Sequence, residues 1–366
     1  MASGMRQPQH NERRWQMNMK HLLRYLIIAA LLPLLTACDH KDLCFDHPQH
    51  AARYATRVNI DYEREWEQPY KGLTDWGAQW PSLGLDMSYD NLRPSVPEGI
   101  RMLAYSASGM RTEVNMVPQG EEMHLPPGDN SILFFNNDTE YIIFSHIDSY
   151  EKASATTRSR SRKSFNGNPH YMPASRNNEP EVTVSAPDML FGHYISRYTQ
   201  TIVTTPPELD ITMHPLVFTY VVRYRFEYGY SYVALARGAL SGMAAAVYLH
   251  NGRTSKEAVT ILYDCELKPW GIEAIVKTFG IPDFPNPSYS RSDGSFAINL
   301  EVRLSNGKIK NFFFDITEQV AAQPHGGVIT VDGIKITDQE AGGTEGSGFD
   351  VDVDGWGEFQ DVTIDF

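Results

Sequence analysis

Along most of this chain, apolar and polar side chains alternate with a period of two, and the alternating runs stop at Pro, Gly, Asn or Asp. Successive side chains of a strand point to opposite faces, so this period marks half-buried strands. It predicts strands over Arg57–Tyr62, Ile100–Tyr105, Ser131–Phe135, Tyr141–Phe144, Leu216–Phe226 and Phe296–Leu304. Ser305-Asn306-Gly307-Lys308 then leads into Lys310–Asp315, and its Asn-Gly pair predicts a tight hairpin. Val328–Ile336 predicts another hairpin around Asp332-Gly333. Helical pattern is confined to short pieces, chiefly Ile316–Ala322, with Thr317 and Glu318 near its start. Many short strands with regular turns indicate an all-β fold of antiparallel sandwiches.

The N-terminus follows a different rule. Arg13, Arg14, Lys20 and Arg24 precede the apolar run Tyr25–Leu35. A membrane-spanning helix needs about 20 apolar residues, more than this run supplies. It has the length of a signal-peptide h-region, roughly 7–15 residues. Leu35-Thr36-Ala37-Cys38 follows at once and resembles a bacterial lipobox, in which Cys38 becomes the lipidated first residue of the mature protein. The alternative is an ordinary secretory signal beside an incidental cysteine. The stretch before the basic lead is long, which suggests translation from Met17 or Met19. Two or more acyl chains on Cys38 would hold the protein stably to a membrane surface.

Composition narrows the partners. Five of the 32 basic and one of the 45 acidic residues lie in the leader, so the remaining 329 residues carry a formal charge of −17. Nucleic acid is excluded by that balance, since its affinity comes from Lys and Arg contacts to phosphate. The 42% hydrophobic content supports real cores. Beyond Cys38 there are only Cys44 and Cys265, in no zinc-ligand spacing. Cys265 reads as a small buried apolar residue, with a Cys44–Cys265 disulfide as the alternative.

The expected organisation is a signal peptide over 1–37, a polar tether over 38–52, and two domains over 53–205 and 206–366. Pro206-Pro207 marks the junction, and residues 151–180, with Arg158, Arg160, Arg162 and Lys163, read as a long exposed loop.

The search for chemistry yields little. Gly238-Ala239-Leu240-Ser241-Gly242 has the wrong spacing for a nucleophile elbow, and the 12 histidines include no HExxH. Nothing suggests an enzyme. Asp350, Asp352, Asp354, Gly355 and Asp361 match most of a calcium loop, making calcium a candidate ligand. Gly357 stands where such a loop wants an apolar residue, and the flanks alternate as strands, so an acidic-faced hairpin is the alternative. Trp66, Trp76 and Trp80 cluster in a Pro/Gly-rich segment and are candidates for stacking on a sugar; buried sandwich tryptophans are the commoner case.

Several segments taken in order resemble the fimbrillin-like lipoproteins of the Bacteroidales, in particular their anchor or minor-subunit types. They are Cys38 with Lys41-Asp42-Leu43-Cys44, Val58–Tyr62, Leu125-Pro126-Pro127-Gly128 before Ile132–Asn137, and Ala186–Gly192. Leu240–Ala244, Phe314–Val320 and Val362–Phe366 continue the series. The resemblance implies two tandem transthyretin-like antiparallel β-sandwich domains, lipid-anchored at the outer membrane and exposed at the cell surface. It implies binding of other fimbrial subunits, or of host or bacterial surface molecules, by strand-edge contacts. The basic loop over 158–163 and the lack of an evident protease-released N-terminal strand fit an anchor or adhesin better than a polymerising stalk subunit. The competing expectation is a surface glycan-binding lipoprotein of a nutrient-uptake complex.

Overall fold

The computed structural model describes residues 53–68, 74–161, 181–285 and 296–342. The strands are β1 (Thr56–Tyr62), β2 (Ile100–Ser106), β3 (Arg111–Met116), β4 (Glu122–Met123), β5 (Gly128–Asn136), β6 (Ile142–Ser145), β7 (Ser154–Thr157), β8 (Val182–Ser185) and β9 (Phe191–Gln200). They continue as β10 (Glu208–Pro215), β11 (Phe218–Tyr228), β12 (Val233–Ala244), β13 (Ala246–Tyr248), β14 (Ala258–Asp264) and β15 (Glu266–Lys268). The last four are β16 (Gly271–Thr278), β17 (Ala297–Leu304), β18 (Ile309–Asp315) and β19 (Gly327–Lys335). Two short helices, α1 (Trp76–Leu83) and α2 (Thr317–Ala322), are the α-helical elements among the described residues. The body is all-β, as the alternation requires.

The sheets explain the pattern. A seven-stranded sheet runs β3-β2-β5-β9-β10-β1-β4. In β5 the apolar residues alternate between two cores, Ile132 and Phe134 on one face, Leu133 and Phe135 on the other. That double burial is why Ser131–Phe135 reads as nearly continuous apolar sequence. A three-stranded sheet, β13-β7-β6, covers the second of these faces through Ile142, Ala155 and Val247. The other sandwich packs β15-β16-β11-β19 against β18-β17-β12-β14-β8, with Tyr220, Val222, Leu240, Ile298 and Leu300 between them. Pairing is mainly antiparallel, with parallel exceptions at β1–β10, β8–β14 and β11–β19. β10 completes the first sheet, while β7 and β8 pair with strands of the later sequence, so pairing crosses residue 206 in both directions.

From the end of β1 the chain leaves the first sheet and lies as a strap over the outer face of the four-stranded sheet. The Thr219 amide donates to the Trp66 carbonyl at 2.8 Å, and Trp66 and Trp80 pack on Val221 and Val328. Helix α1 within the strap starts because the Asp75 side chain accepts from the Ala78 amide at 2.9 Å, and it ends at Gly84 with φ 64°.

Two local expectations are corrected. Val328–Ile336 is one strand, not a hairpin: it pairs in parallel with β11, and the register shifts beside Phe226. Gly333, at φ 82°, permits that bulge. Residues 151–161 are also not a free loop. Ala153 and Ala155 are fully buried, and the chain continues through β7 to a bridge at Ser159–Val184. Residues this small leave little hydrophobic signal in the sequence. Residues 162–180 lie outside the described spans.

Candidate interaction surfaces

An all-β body meets partners most readily at strand edges, where backbone N–H and C=O groups lack a neighbour. Several edges here are occupied. The turn after β3 folds along β1, with the Val58 and Ile60 amides donating to the Glu121 and Gln119 carbonyls at 3.0 Å. A Cβ at Gly120 would sit 2.2 Å from the Val58 carbonyl oxygen, so only glycine allows this approach. β8 is flanked by residues 158–160: the Arg160 amide donates to the Thr183 carbonyl at 2.8 Å and the Ser185 amide to the Arg158 carbonyl at 2.9 Å.

β19 is capped by side chains of α2 and of the residue that follows it. The Gln323 amide group donates to the Val328 carbonyl at 2.8 Å and accepts from the Val328 N–H at 3.0 Å. Gln319 does the same for Thr330, at 2.9 and 2.8 Å. Two glutamines thus take the place of a further strand. Gly327 makes room for the first, because a Cβ there would stand 2.0 Å from Gln323 Oε1.

β3 has β2 as its one strand neighbour among the described residues. Arg111 and Glu113 are exposed on it, and Glu113 lies 3.5 Å from Arg111 and 3.4 Å from Arg101. Such charges deter unspecific pairing and give a true partner a register to match. Met110 and Val117, 53% and 50% exposed, flank the strand with apolar surface.

The residues singled out in the sequence fall as follows. Trp66 and Trp80 are buried in the strap, with ring centroids 5.6 Å apart, and Trp76 is half-buried beside them. Stacking on a sugar needs an exposed ring face, and neither Trp66 nor Trp80 presents one. Ser241 is buried and lies 3.0 Å from the Thr260 hydroxyl. Cys265 packs half-buried against the second core as a free thiol, and burial pushes its pKa well up. Cys38, Cys44 and the acidic loop of Asp350, Asp352, Asp354 and Asp361 lie outside the described residues. Among the described residues no group of three His, Cys, Asp or Glu side chains could hold a metal ion.

One cluster escaped the sequence altogether. Arg223 and Glu273 face each other across β11 and β16 beneath the strap. Arg223 donates to the Leu83 carbonyl at 2.6 Å and lies 5.0 Å from the Trp270 ring centre, while burial pushes the Glu273 carboxyl up. Alternation marks both residues as outward-facing, but the covering strap comes from more than 120 positions away in the chain.

Comparison with known proteins agrees with this architecture. A family described as "Domain of unknown function (DUF5119)" matches residues 79–264, about half of the chain. A candidate fimbrium anchoring subunit, Fim4B, of Bacteroides ovatus is 21% identical over 314 residues, covering 83% of this chain and 81% of its own. The crystal structure of a candidate adhesin from Bacteroides ovatus aligns over 82% of this chain and 97% of its own, with a TM-score of 0.53 and 19% identity, and shares the fold. The fimbrial anchor protein Mfa2 of Porphyromonas gingivalis aligns over 76% of this chain at a TM-score of 0.41 and 10% identity, too loose a likeness to argue from.

Proposed function

This chain belongs to the DUF5119 family, and from that premise we propose that it is a surface-anchored fimbrial subunit, an anchor or accessory component that binds partner subunits rather than transforming a substrate. The observation that carries the reading is the extent of the similarity to Fim4B, which runs over 83% of this chain and 81% of that one. Similarity that runs along both chains supports a shared role better than a short motif would.

The edge of β3 supplies the docking element in this proposal. Strand addition there would give affinity through backbone hydrogen bonds, and Arg111, Glu113 and the flanking Met110 and Val117 would set register. Lipidation at Cys38 supplies the anchor, on the strength of Leu35-Thr36-Ala37-Cys38 after the apolar run. The acidic charge of the mature chain supports a covalent tether, because such a body is repelled by anionic membrane surfaces.

Cys38→Ala in the native cells tests the reading. Filaments should be shed into the medium with this protein attached, and labelling by a fatty-acid analogue should be lost. Filaments that remain cell-bound at wild-type density would refute the anchoring role.

A further inference from the structure

The outer face of the sheet β18-β17-β12-β14-β8 has the composition of a face in water, yet its centre is dry. Arg237 and Glu301 stand opposite each other there across β12 and β17, and they are 3% and 0% exposed. Arg237 Nε donates to Glu301 Oε1 at 2.8 Å. Asn299, Ala239 and Leu262 form the next row, and all three are buried. Ala239 and Leu262 make a small apolar pair apart from the large cores. An arginine on an open sheet keeps its guanidinium in water, because its neighbours flank it without roofing it. Burial this complete needs a layer above. Among the described residues the sheet packed on this one is the four-stranded sheet, and it lies on the opposite face. Glu181 reaches one corner, where it accepts from the Thr260 hydroxyl at 2.8 Å.

Asn299 gives a second sign. Its Oδ1 is buried on this face and has no hydrogen-bond donor among the described residues. A buried amide oxygen is ordinarily satisfied, so the layer above is expected to bring an N–H to it. The rim of the face is apolar. Leu235 and Ile309 are exposed on either side of Arg303 in one row, and Phe313, 45% exposed, stands next to Asn299.

We infer that the covering layer is residues 343–366 of this same chain, laid across the outer face with apolar side chains inward and carboxylates outward. The described chain ends beside that face. Asn306, in the β17–β18 turn, donates to the Glu340 carbonyl at 3.1 Å, and Lys310 of β18 donates to the Glu340 carboxylate at 2.7 Å. The 24 residues that follow position 342 reach up to about 80 Å when extended, whereas five strands span about 19 Å. That is enough to cross and return. Val351 and Val353 alternate with Asp350, Asp352 and Asp354, which gives the run one apolar and one acidic side. Arg303 and Lys308 stand at the rim where this acidic segment enters. Residues 162–180 leave and return at β8 and offer far fewer apolar side chains. Burial of Arg237 and Glu301 within a single chain speaks against a second copy as the cover. The inference stands independently of docking at β3 and of the anchor at Cys38.

Photochemical cross-linking on the full chain tests it. Phe313→p-benzoylphenylalanine puts the probe in the Asn299 row at an exposed aromatic position. Irradiation should give an intrachain adduct that mass spectrometry maps to residues 343–366, in a yield unchanged by dilution. With the probe moved to Leu267, exposed on the edge strand of the four-stranded sheet, that adduct should be lost. An adduct to residues 162–180 or to a second chain overturns the inference, and so does equal capture from Leu267 or no adduct at all. Should the Phe313 variant misfold, hydroxyl-radical footprinting of the unmodified chain decides. Trp356 and Phe359 should oxidise several-fold more slowly there than in an isolated peptide of residues 343–366, and equal rates overturn the inference.

Discussion

Replacing Gln323 with leucine should destabilise the protein far more than replacing Gln319 with leucine, although both glutamines make the same pair of bonds to β19. The difference lies in water access. Gln323 is 6% exposed and Val328 3%, so in Gln323→Leu the Val328 N–H and C=O lose their partners where solvent cannot replace them. Each stranded group costs about 1–3 kcal/mol. Offset by the burial of an apolar leucine, the net loss should be about 3 kcal/mol. Gln319 and Thr330 are half-buried, and water can take over both bonds, leaving a loss of about 1 kcal/mol or less. At about 2.1 cal/mol/K of unfolding entropy per residue, 1 kcal/mol moves the Tm of a body spanning residues 53–366 by about 1.5 °C, so Gln323→Leu should melt roughly 4–5 °C lower. Urea unfolding followed by far-UV circular dichroism gives the two free energies directly, provided the denaturant slopes agree. Losses within about 0.5 kcal/mol of each other would mean that burial is not what makes the caps matter, and the reasoning would fail.

Tyr263→Phe should cost about 1–3 kcal/mol, because it strands the Tyr224 hydroxyl 2.6 Å away in the second core. Adding Tyr224→Phe should recover part of that loss in a double-mutant cycle, and strictly additive losses would argue that the two hydroxyls do not interact. His325 carries a pH signature: its pKa falls from 6.5 to about 4 on folding, so its contribution is whole above pH 6.5 and is lost as pH drops towards 4, about 3 kcal/mol in all. Burial raises Glu67 and Glu273, which work in the opposite sense as pH falls, so the readout is the difference between wild type and His325→Phe. Identical acid slopes for the two proteins would rule that assignment out.

The strands that alternate cleanly were legible in the sequence, and so was the Asn306-Gly307 turn, where Gly307 takes φ 82° between β17 and β18. What failed to show has physical causes. Asp332-Gly333 looks like a hairpin because a bulge and a tight turn both need a residue at positive φ, and only the partner strand tells them apart. β7 is Ser-Ala-Thr-Thr, residues too small and polar to mark a buried strand by hydrophobicity. The tryptophans were noticed for the right reason, their density, but their environment depends on β11 and β19, both far away in sequence. Parallel pairs such as β11–β19 leave no mark on periodicity at all.

The parallel pairing of β1 with β10 also sets how the body meets a pulling force. If the chain is anchored through Cys38 as proposed and a filament is drawn outward, tension would enter the body at the N-terminal end of β1. There Arg53 and Val203 exchange both backbone bonds, at 2.8 and 2.9 Å, and six residue pairs follow in register from Arg57–Glu208 to Tyr62–Met213. A strand dragged along its own axis past a parallel neighbour must slip all of these together, whereas a peeled strand lets them go one at a time. The strap continues from the same strand onto the far sandwich, so load that passes β1 is handed on to a second sheet. Such a connection resists a pull along the axis of β1 better than one that peels the strand sideways.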